Sequence, residues 1–310
     1  MKEIMILFLS GGTGTPKLLQ GVLPLINPEE VSIISNVGDD YEIYGLYVSP
    51  DLDVITYTTA GIIDEEKMWG IKGDTFNFIQ CLEKIGEDIW FKLGDKDLSF
   101  CFLRTYLLRK GLSLSEACKF ICDILNVRVS IFPASDQSIQ TRILTEKGWM
   151  HFQEWWVREK GSLKVLNIDF KGKNTAKSSP GILEAINYAE KIVIGPSNPV
   201  TSIGPILAVK EIRETLEKTA TKVVAVSPII GNSPLSGPAG TLIEFLNLEI
   251  SPLGVAKVYQ PFLDCLIIDE SDKNMAKRIE KDLDIEVVSV NTIMKTHEDK
   301  KELAKTVLKV

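Results

Sequence analysis

Apolar residues run without a polar break from Ile4 to Leu9. A run of this kind, closed by a Gly-rich turn, predicts a strand buried on both faces over residues 1–9. Ser10-Gly11-Gly12-Thr13-Gly14-Thr15 then turns the chain. Pro16 suits the first position of a helix, because the N–H it lacks has no partner there; Thr15 reads as the N-cap. Leu18, Leu19 and Val22 give that helix an apolar stripe. A second strand is predicted over 31–35, ending in Asn36-Val37-Gly38-Asp39-Asp40. Strand, turn, helix and strand in this order open a doubly wound, mostly parallel sheet.

The pattern then changes period. Helical spacing fills much of 65–125, with helices over 75–85 and 98–109. Ser113-Leu114-Ser115-Glu116 has the form of a capping box, opening a helix to about 125. A strand returns over 127–132, and short strands over 141–145, 150–152 and 163–170 suggest a small hairpin-bearing insertion. From 182 the α/β rhythm resumes, with strands over 191–194, 222–226, 265–268 and 285–288. The expected organisation is an α/β core over 1–62 and 126–310, a mostly helical segment over 63–125, and a β-rich insertion at about 140–175.

Composition narrows what such a protein handles. The chain has 310 residues, 45% of them hydrophobic and 25% charged, which excludes disordered, collagen-like and coiled-coil classes. With 35 basic and 42 acidic residues its net charge is −7, and nucleic-acid binding, which needs a basic face, is not expected. No apolar run approaches the roughly 20 residues that span a bilayer, and the run over 4–9 is too short for a signal peptide. The expectation is a cytoplasmic protein that uses no membrane. Cys81, Cys101, Cys118, Cys122 and Cys265 are scattered and read as buried free thiols. Two histidines give no basis for a histidine-built zinc site, so a metal here would be held by oxygen, as magnesium or calcium is.

Candidate chemistry lies in the loops after predicted strands, whose C-terminal ends share one edge of an open parallel sheet. Small residues over 10–17 let backbone N–H groups approach a phosphate at a helix start. The loop is no Walker A motif, and Lys17 stands where a dinucleotide fingerprint needs its third glycine. Asn36–Asp40 and Ser49-Pro50-Asp51-Leu52-Asp53 supply carboxylates near the same edge. Carboxylates gathered in one place repel unless a cation lies between them. Magnesium on Asp39, Asp40 and Asp53 resolves this; solvated loop acids are the plainer alternative, and Asp51 reads better as a turn residue. Loops over 195–205 and 227–234 are stiff and rich in small hydroxyls, as suits a nucleotide site. Lys92-Leu93-Gly94-Asp95-Lys96-Asp97 either sets lysines on a diphosphate or is a solvated turn. His151-Phe152-Gln153-Glu154-Trp155-Trp156 is an aromatic run that either packs the insertion or stacks on a flat heterocycle.

Gly11-Gly12-Thr13-Gly14-Thr15-Pro16-Lys17-Leu18-Leu19, Val37-Gly38-Asp39-Asp40 and Ser49-Pro50-Asp51-Leu52-Asp53 together resemble the start of the 2-phospho-L-lactate transferase family. The likeness continues in order through residues 93–97, 151–156, 195–205 and 227–240, so it spans nearly the whole chain. It implies a Rossmann-like core, often dimeric, here expected as a homodimer. It implies transfer of a phospholactyl (or phosphoenolpyruvyl) group from a guanosine-diphosphate carrier to the ribityl hydroxyl of the deazaflavin Fo. GMP would leave, magnesium would be required, and the product would belong to coenzyme F420 biosynthesis. By the same resemblance Asp53 is the acid beside Fo and magnesium, either as a base or as a ligand only, with Asp39 and its neighbour Asp40 metal-proximal. Lys17 is expected to assist catalysis, and Gly12, Thr13, Gly14, Thr15, Asn36, Lys92, Lys96, Ser197, Asn198 and Ser202 are expected to bind substrate. Lys96 stands where many members have arginine, and a lysine cannot make the same fork to phosphate.

Two other classes remain in view. A non-catalytic regulator binding nucleotide-sugars would share the Gly-Gly-Thr-Gly start but not the segments at 49–53 and 151–156. A nicotinamide-dependent oxidoreductase would need the third glycine and an acid after the second strand, where Asn36 stands.

Overall fold

In the computed structural model the described residues are 5–235 and 237–310, so the first four residues of the predicted opening strand lie outside them. The strands in chain order are β1 (Ile6–Ser10), β2 (Val31–Ser35), β3 (Tyr41–Ile43), β4 (Leu46–Val48), β5 (Ser130–Pro133), β6 (Gln140–Thr145) and β7 (Gly148–His151). They continue with β8 (Asn167–Lys171), β9 (Lys191–Ile194), β10 (Val223–Val226), β11 (Ile229–Ile230), β12 (Ser233–Pro234), β13 (Cys265–Asp269) and β14 (Glu286–Val290). Seven of these form the central sheet in the order β14-β13-β10-β9-β1-β2-β5. Every pairing in it is parallel, for example Phe8 against Ile33 on one side and Val193 on the other.

The strand sequences account for this sheet. All five residues of β1, β2 and β13 are buried, as are all four of β10. Strands covered on both faces need apolar side chains at consecutive positions, which is what the continuous runs supply. The helices in chain order are α1 (Gly14–Val22), α2 (Pro50–Thr59), α3 (Asn77–Lys84), α4 (Asp95–Arg109), α5 (Leu114–Ile124) and α6 (Ile182–Tyr188). There follow α7 (Gly204–Ala208), α8 (Lys210–Leu216), α9 (Ala239–Phe245), α10 (Pro252–Tyr259), α11 (Ala276–Leu283) and α12 (His297–Lys309). Both halves of the Ser113–Glu116 capping box are present. The segment over 140–171 folds as a small antiparallel sheet, β7-β6-β8.

Sheet order fixes where a ligand can enter. From β1 the chain steps to β2 and β5 on one side, then returns at β9 and proceeds to β10, β13 and β14 on the other. The order reverses between β1 and β9, and the turns leaving these two strands part to leave a crevice.

Local differences from the sequence pattern have physical reasons. Helix α1 starts at Gly14, with Thr13 rather than Thr15 in the cap position. The Thr15 hydroxyl is drawn away to Ser197 Oγ at 2.9 Å, and Pro16 still falls in the first turn, where no N–H partner is lost. Residues 49–53 are not a loop after a core strand: β3 and β4 form a separate hairpin, and Asp51 and Asp53 occupy the first turn of α2. Of the five cysteines, Cys81 is exposed, since it faces outward on α3; the other four are buried. Among the described residues no helix is long and apolar enough to cross a membrane.

Helix α1, which begins at the crevice, is backed by α12. Gly21 meets α12 so closely that an added Cβ would lie 2.1 Å from the Lys300 carbonyl oxygen, while Lys300 Nζ donates to Gln20 Oε1 at 2.6 Å. Backbone that close leaves no room for a methyl group. Gly21→Ala is expected to destabilise the fold by about 1–3 kcal/mol, read as a lower urea midpoint at unchanged slope.

Candidate active site

A cleft of about 640 Å³ opens at the reversal point. One wall is backbone. Gly12, at φ +61°, with Thr13 and Gly14, faces Pro196, Ser197, Asn198 and Ser202 of the turn after β9. The two turns are fitted tightly: a Cβ at Gly14 would lie 1.8 Å from the Pro196 carbonyl oxygen, and one at Gly11 2.7 Å from Ser202 Cβ. Glycine is required there because main chain meets main chain. Asn198 Oδ1 accepts from Val200 N at 2.9 Å, whereas its Nδ2 is buried with no partner. An unpaired buried donor at the cleft is one a bound anion or carbonyl can satisfy.

The opposite wall is aromatic. Trp90, Phe91, Tyr57, Phe152 and Trp156 line it, with Trp69 at the rim. The run 151–156 divides its side chains between two tasks. Trp155 is buried and anchors the segment through Nε1 to Leu163 O at 2.9 Å, while Trp156, in the same π-helical turn, is left facing the cleft. His151 is buried and stacks on Tyr41 with centroids 4.4 Å apart. Burial pushes its imidazole down to about 4, so it is neutral, and its Nδ1 accepts from Gln153 N at 3.2 Å. Gln153 Nε2 in turn donates to Asp39 Oδ2 at 3.4 Å.

Between the walls lies an acidic floor lined by Asp39, Asp51, Asp53 and Asp97. Burial holds Asp39 well above the usual carboxylate range, and the neighbouring charges of Asp51 and Asp40 add to this. Its Oδ1 is buried without a partner. Burial pushes Asp51 up to about 6, against the hydrogen bond from Asn36 Nδ2 at 2.7 Å. Asp53 is also raised by burial, opposed by the Arg104 guanidinium that forks onto its carboxylate. Asp97 is pushed up to about 7 by burial and by Asp53, and accepts from Tyr57 OH at 2.8 Å.

Several residues singled out in the sequence do not face this cleft. Asp40 is buried beside the cleft and does not line it; its oxygens accept from Ser49 Oγ at 2.5 Å and Tyr47 OH at 2.8 Å. Asn36 is fully buried and serves the scaffold: it donates to Asp51 and to Thr201 O, and accepts from Gly38 N at 2.7 Å. Thr15 is likewise buried in the bond between the two turns. Lys17 is absent from the lining; it follows α1 away from the cleft and lies near Lys300. Lys96 is also outside, with Nζ on the carbonyl oxygens of Gly73 and Lys72 at 3.2 and 3.5 Å. Gly12, Thr13, Gly14, Asp39, Asp53, Lys92, Ser197, Asn198 and Ser202 do line it.

The turn over 93–97 is a reciprocal cap. Asp74 accepts from Lys96 N and Asp97 N at the start of α4, while Asp95 accepts from Asn77 N and Phe78 N at the start of α3. Gly94 lets Asp74 in, since a Cβ there would lie 2.1 Å from its Oδ2. The cap sets Asp97 on the floor. Sequence reasoning misses Asp97, Tyr57 and Arg104 as site residues and reads Asp51 as a turn residue. Asp51 had a signal in its spacing of two from Asp53, which places both in the first turn of a Pro-started helix.

An open α/β sheet with a glycine-lined cleft at its reversal point defines a Rossmann-like ligand-binding protein. Solved structures agree on the fold: a UPF0052 family protein from Bacillus halodurans superposes with a TM-score of 0.67 at 17% identity, covering 99% of each chain. The family model described as 2-phospho-L-lactate transferase CofD matches residues 6–308. Proteins named 2-phospho-L-lactate transferase are 41% identical in Methanococcus maripaludis, over 98% of this chain and 97% of the relative. Those of Methanosarcina mazei (41%; 98% and 99% covered) and Methanocaldococcus jannaschii (42%; 98% and 97% covered) are as similar. The chain belongs to the 2-phospho-L-lactate transferase family and is a transferase of the class that serves F420 biosynthesis.

The acidic floor has a consequence for stability. Asp51 binds its proton more tightly folded than unfolded, so its contribution is present at low pH and lost as pH rises from about 4 through about 6. Above that window its buried charge opposes folding. Asp51→Asn is therefore expected to stabilise the ligand-free protein at pH 8 relative to pH 4.5, by roughly 1–3 kcal/mol, measured by urea unfolding at both pH values.

Proposed function

We propose that this chain transfers a 2-phospholactyl group from guanosine-diphosphate-linked lactate to the ribityl hydroxyl of Fo, releasing GMP. The observation that carries this reading is the composition of one cleft. A backbone turn shaped for phosphate stands on one side and an aromatic wall on the other, with an acidic pair holding a free oxygen between them.

The donor's diphosphate would lie along the Gly12 turn against the N–H groups of Thr13 and Gly14 at the start of α1, with Asn198 Nδ2 and Lys92 as further donors. A helix start with glycine on its approach favours anions through its partial positive charge and its unpaired N–H groups. The flat tricycle of Fo would stack on Trp156 and Trp90 across the cleft, excluding water from the reacting end.

The residues fit a hard divalent cation. Asp39 and Asp51 are buried carboxylates raised by burial, the charge of Asp51 adds to the rise of Asp39, and Asp39 Oδ1 has no partner. These two would hold magnesium, rather than the set of Asp39, Asp40 and Asp53 expected from the sequence. When bound, magnesium supplies Lewis-acid neutralisation of the diphosphate charge. Asp53, at the floor, accepts a hydrogen bond from the Fo hydroxyl and orients it. That oxygen attacks the phosphorus bearing lactate, the bond from that phosphorus to the bridging oxygen breaks, and the bridging oxygen leaves with GMP. The hydroxyl proton passes to solvent or to a floor carboxylate.

One assay tests the reading: purified protein, Fo, magnesium and the lactyl or enolpyruvyl guanosine-diphosphate donor, with GMP release and product mass followed. Turnover with the lactyl donor is expected; donor binding without turnover would instead support the nucleotide-binding regulator. Asp39→Asn is expected to lower kcat by about 100-fold or more and to weaken the magnesium dependence. Trp156→Ala is expected to raise the KM for Fo by about 5- to 10-fold with the donor KM unchanged, checked by initial rates with each substrate varied.

A further inference from the structure

An arginine that no motif singled out lies under the floor of the cleft. Arg104, on α4, is 1% exposed and does not line the cleft itself. Its Nη1 donates to Asp53 Oδ2 at 3.2 Å and its Nη2 to Asp53 Oδ1, so both carboxylate oxygens are held in one fork. Nη1 also reaches Tyr47 O at 3.4 Å, while Nε is buried with no partner. The same guanidinium is the positive charge that Asp40 and Asp97 meet as well as Asp53.

The fork leaves Asp53 partly free. A carboxylate offers about four lone-pair sites, and a bidentate guanidinium takes two. Asp53 lines the cleft from the first turn of α2, so its remaining lone pairs are available to a bound group. We propose that Arg104 is a positioning residue for the transfer: it fixes the plane and rotamer of the Asp53 carboxylate, and acts on the acceptor hydroxyl only through Asp53. This rests on the function proposed above. A lysine keeps the charge but not the planar fork, so it separates orientation from charge balance.

The experiment compares Arg104→Lys, Arg104→Met, Asp53→Asn and the double variant Asp53→Asn/Arg104→Lys. Thermal unfolding, kcat, both KM values and the Kd for Fo by tryptophan quenching are measured for each. Arg104→Lys is expected to fold and to lose about 10- to 100-fold in kcat, with the donor KM within about twofold of the parent. Added to Asp53→Asn, the same change is expected to alter kcat by no more than about twofold, because the group it positions is already gone. Arg104→Met leaves a buried carboxylate uncompensated; if it does not fold, Arg104→Lys still gives the result.

Full kcat in Arg104→Lys, a loss confined to the donor KM, or losses that add on Asp53→Asn would overturn the proposal. Fo binding supplies a readout that does not need the donor. Arg104→Lys and Asp53→Asn should each weaken Fo binding by about 3- to 10-fold, without adding in the double variant. Fo binding that follows this pattern with no turnover from either donor would sink the proposed function and leave the role of Arg104 standing. Equal Fo binding by all four variants would overturn that role.

Discussion

A carboxylate taken out of water keeps its charge only where a cation or several hydrogen-bond donors face it. Under this cleft the buried Arg104 supplies that cation to Asp53, which it forks; for Asp40 and Asp97, each pushed up to about 7 chiefly by burial, the same guanidinium pulls the other way. The arrangement links three elements. Helix α4 brings the guanidinium, α2 brings Asp53 in its first turn, and the β3–β4 hairpin contributes Tyr47, whose carbonyl meets Arg104 and whose hydroxyl meets Asp40. Removing the cation would leave buried acids without compensation, which is the costly half of a buried ion pair. The helical segment is thereby tied to the edge of the sheet, and one wall of the cleft holds its position.

Asp39 and Asp51 are arranged differently. Hydrogen bonds from Gln153 and Asn36 support them, but both remain raised by burial, and one oxygen of Asp39 has no partner. The floor thus holds one carboxylate forked by a guanidinium from within the protein, Asp53, and one that keeps an oxygen without a partner, Asp39. Acids raised by burial give up stability at neutral pH, a pattern common where a site awaits a ligand. The division also separates two tasks that the sequence had placed on one residue. Asp53 is oriented by its own cation, whereas Asp39 is the acid that keeps an oxygen with no partner at all.

How much of this was legible in the chain depends on the range of the interactions involved. The parallel sheet was, because strands buried on both faces must be apolar at consecutive positions, as in β1, β10 and β13. The glycine turn was too, since close approach of main chain leaves residue types no choice at Gly11 and Gly14. Asp39 followed from its place after a core strand. Arg104 did not, because nothing within a few residues of it on α4 marks a partner 51 positions earlier. Where Lys96 and Lys17 lie was not legible for the same reason. A lysine near a glycine turn looks like a phosphate ligand until the fold sends Lys96 to the carbonyls of 72 and 73 and Lys17 along α1 toward Lys300.

The 93–97 turn shows how the polar groups of a well-marked motif can be taken up by the scaffold. Its residue types are those of a phosphate-binding turn, yet each polar group has an internal partner: Asp95 caps α3, Lys96 bonds carbonyls, and Asp97 bonds Tyr57. Gly94 is there because Asp74 must come within contact of the backbone to cap α4. The turn therefore acts at one remove. By joining the starts of α3 and α4 it fixes the rotation of α4 about its own axis, and that rotation decides which residues of α4 face inward. Asp97, Cys101 and Arg104 lie on the buried side, at helical spacings of four and three. Asp97 then reaches the cleft, and Arg104 reaches Asp53 from beneath it. A motif that looks like a ligand site on its own is, in the fold, what sets the registry of the charge network under the site.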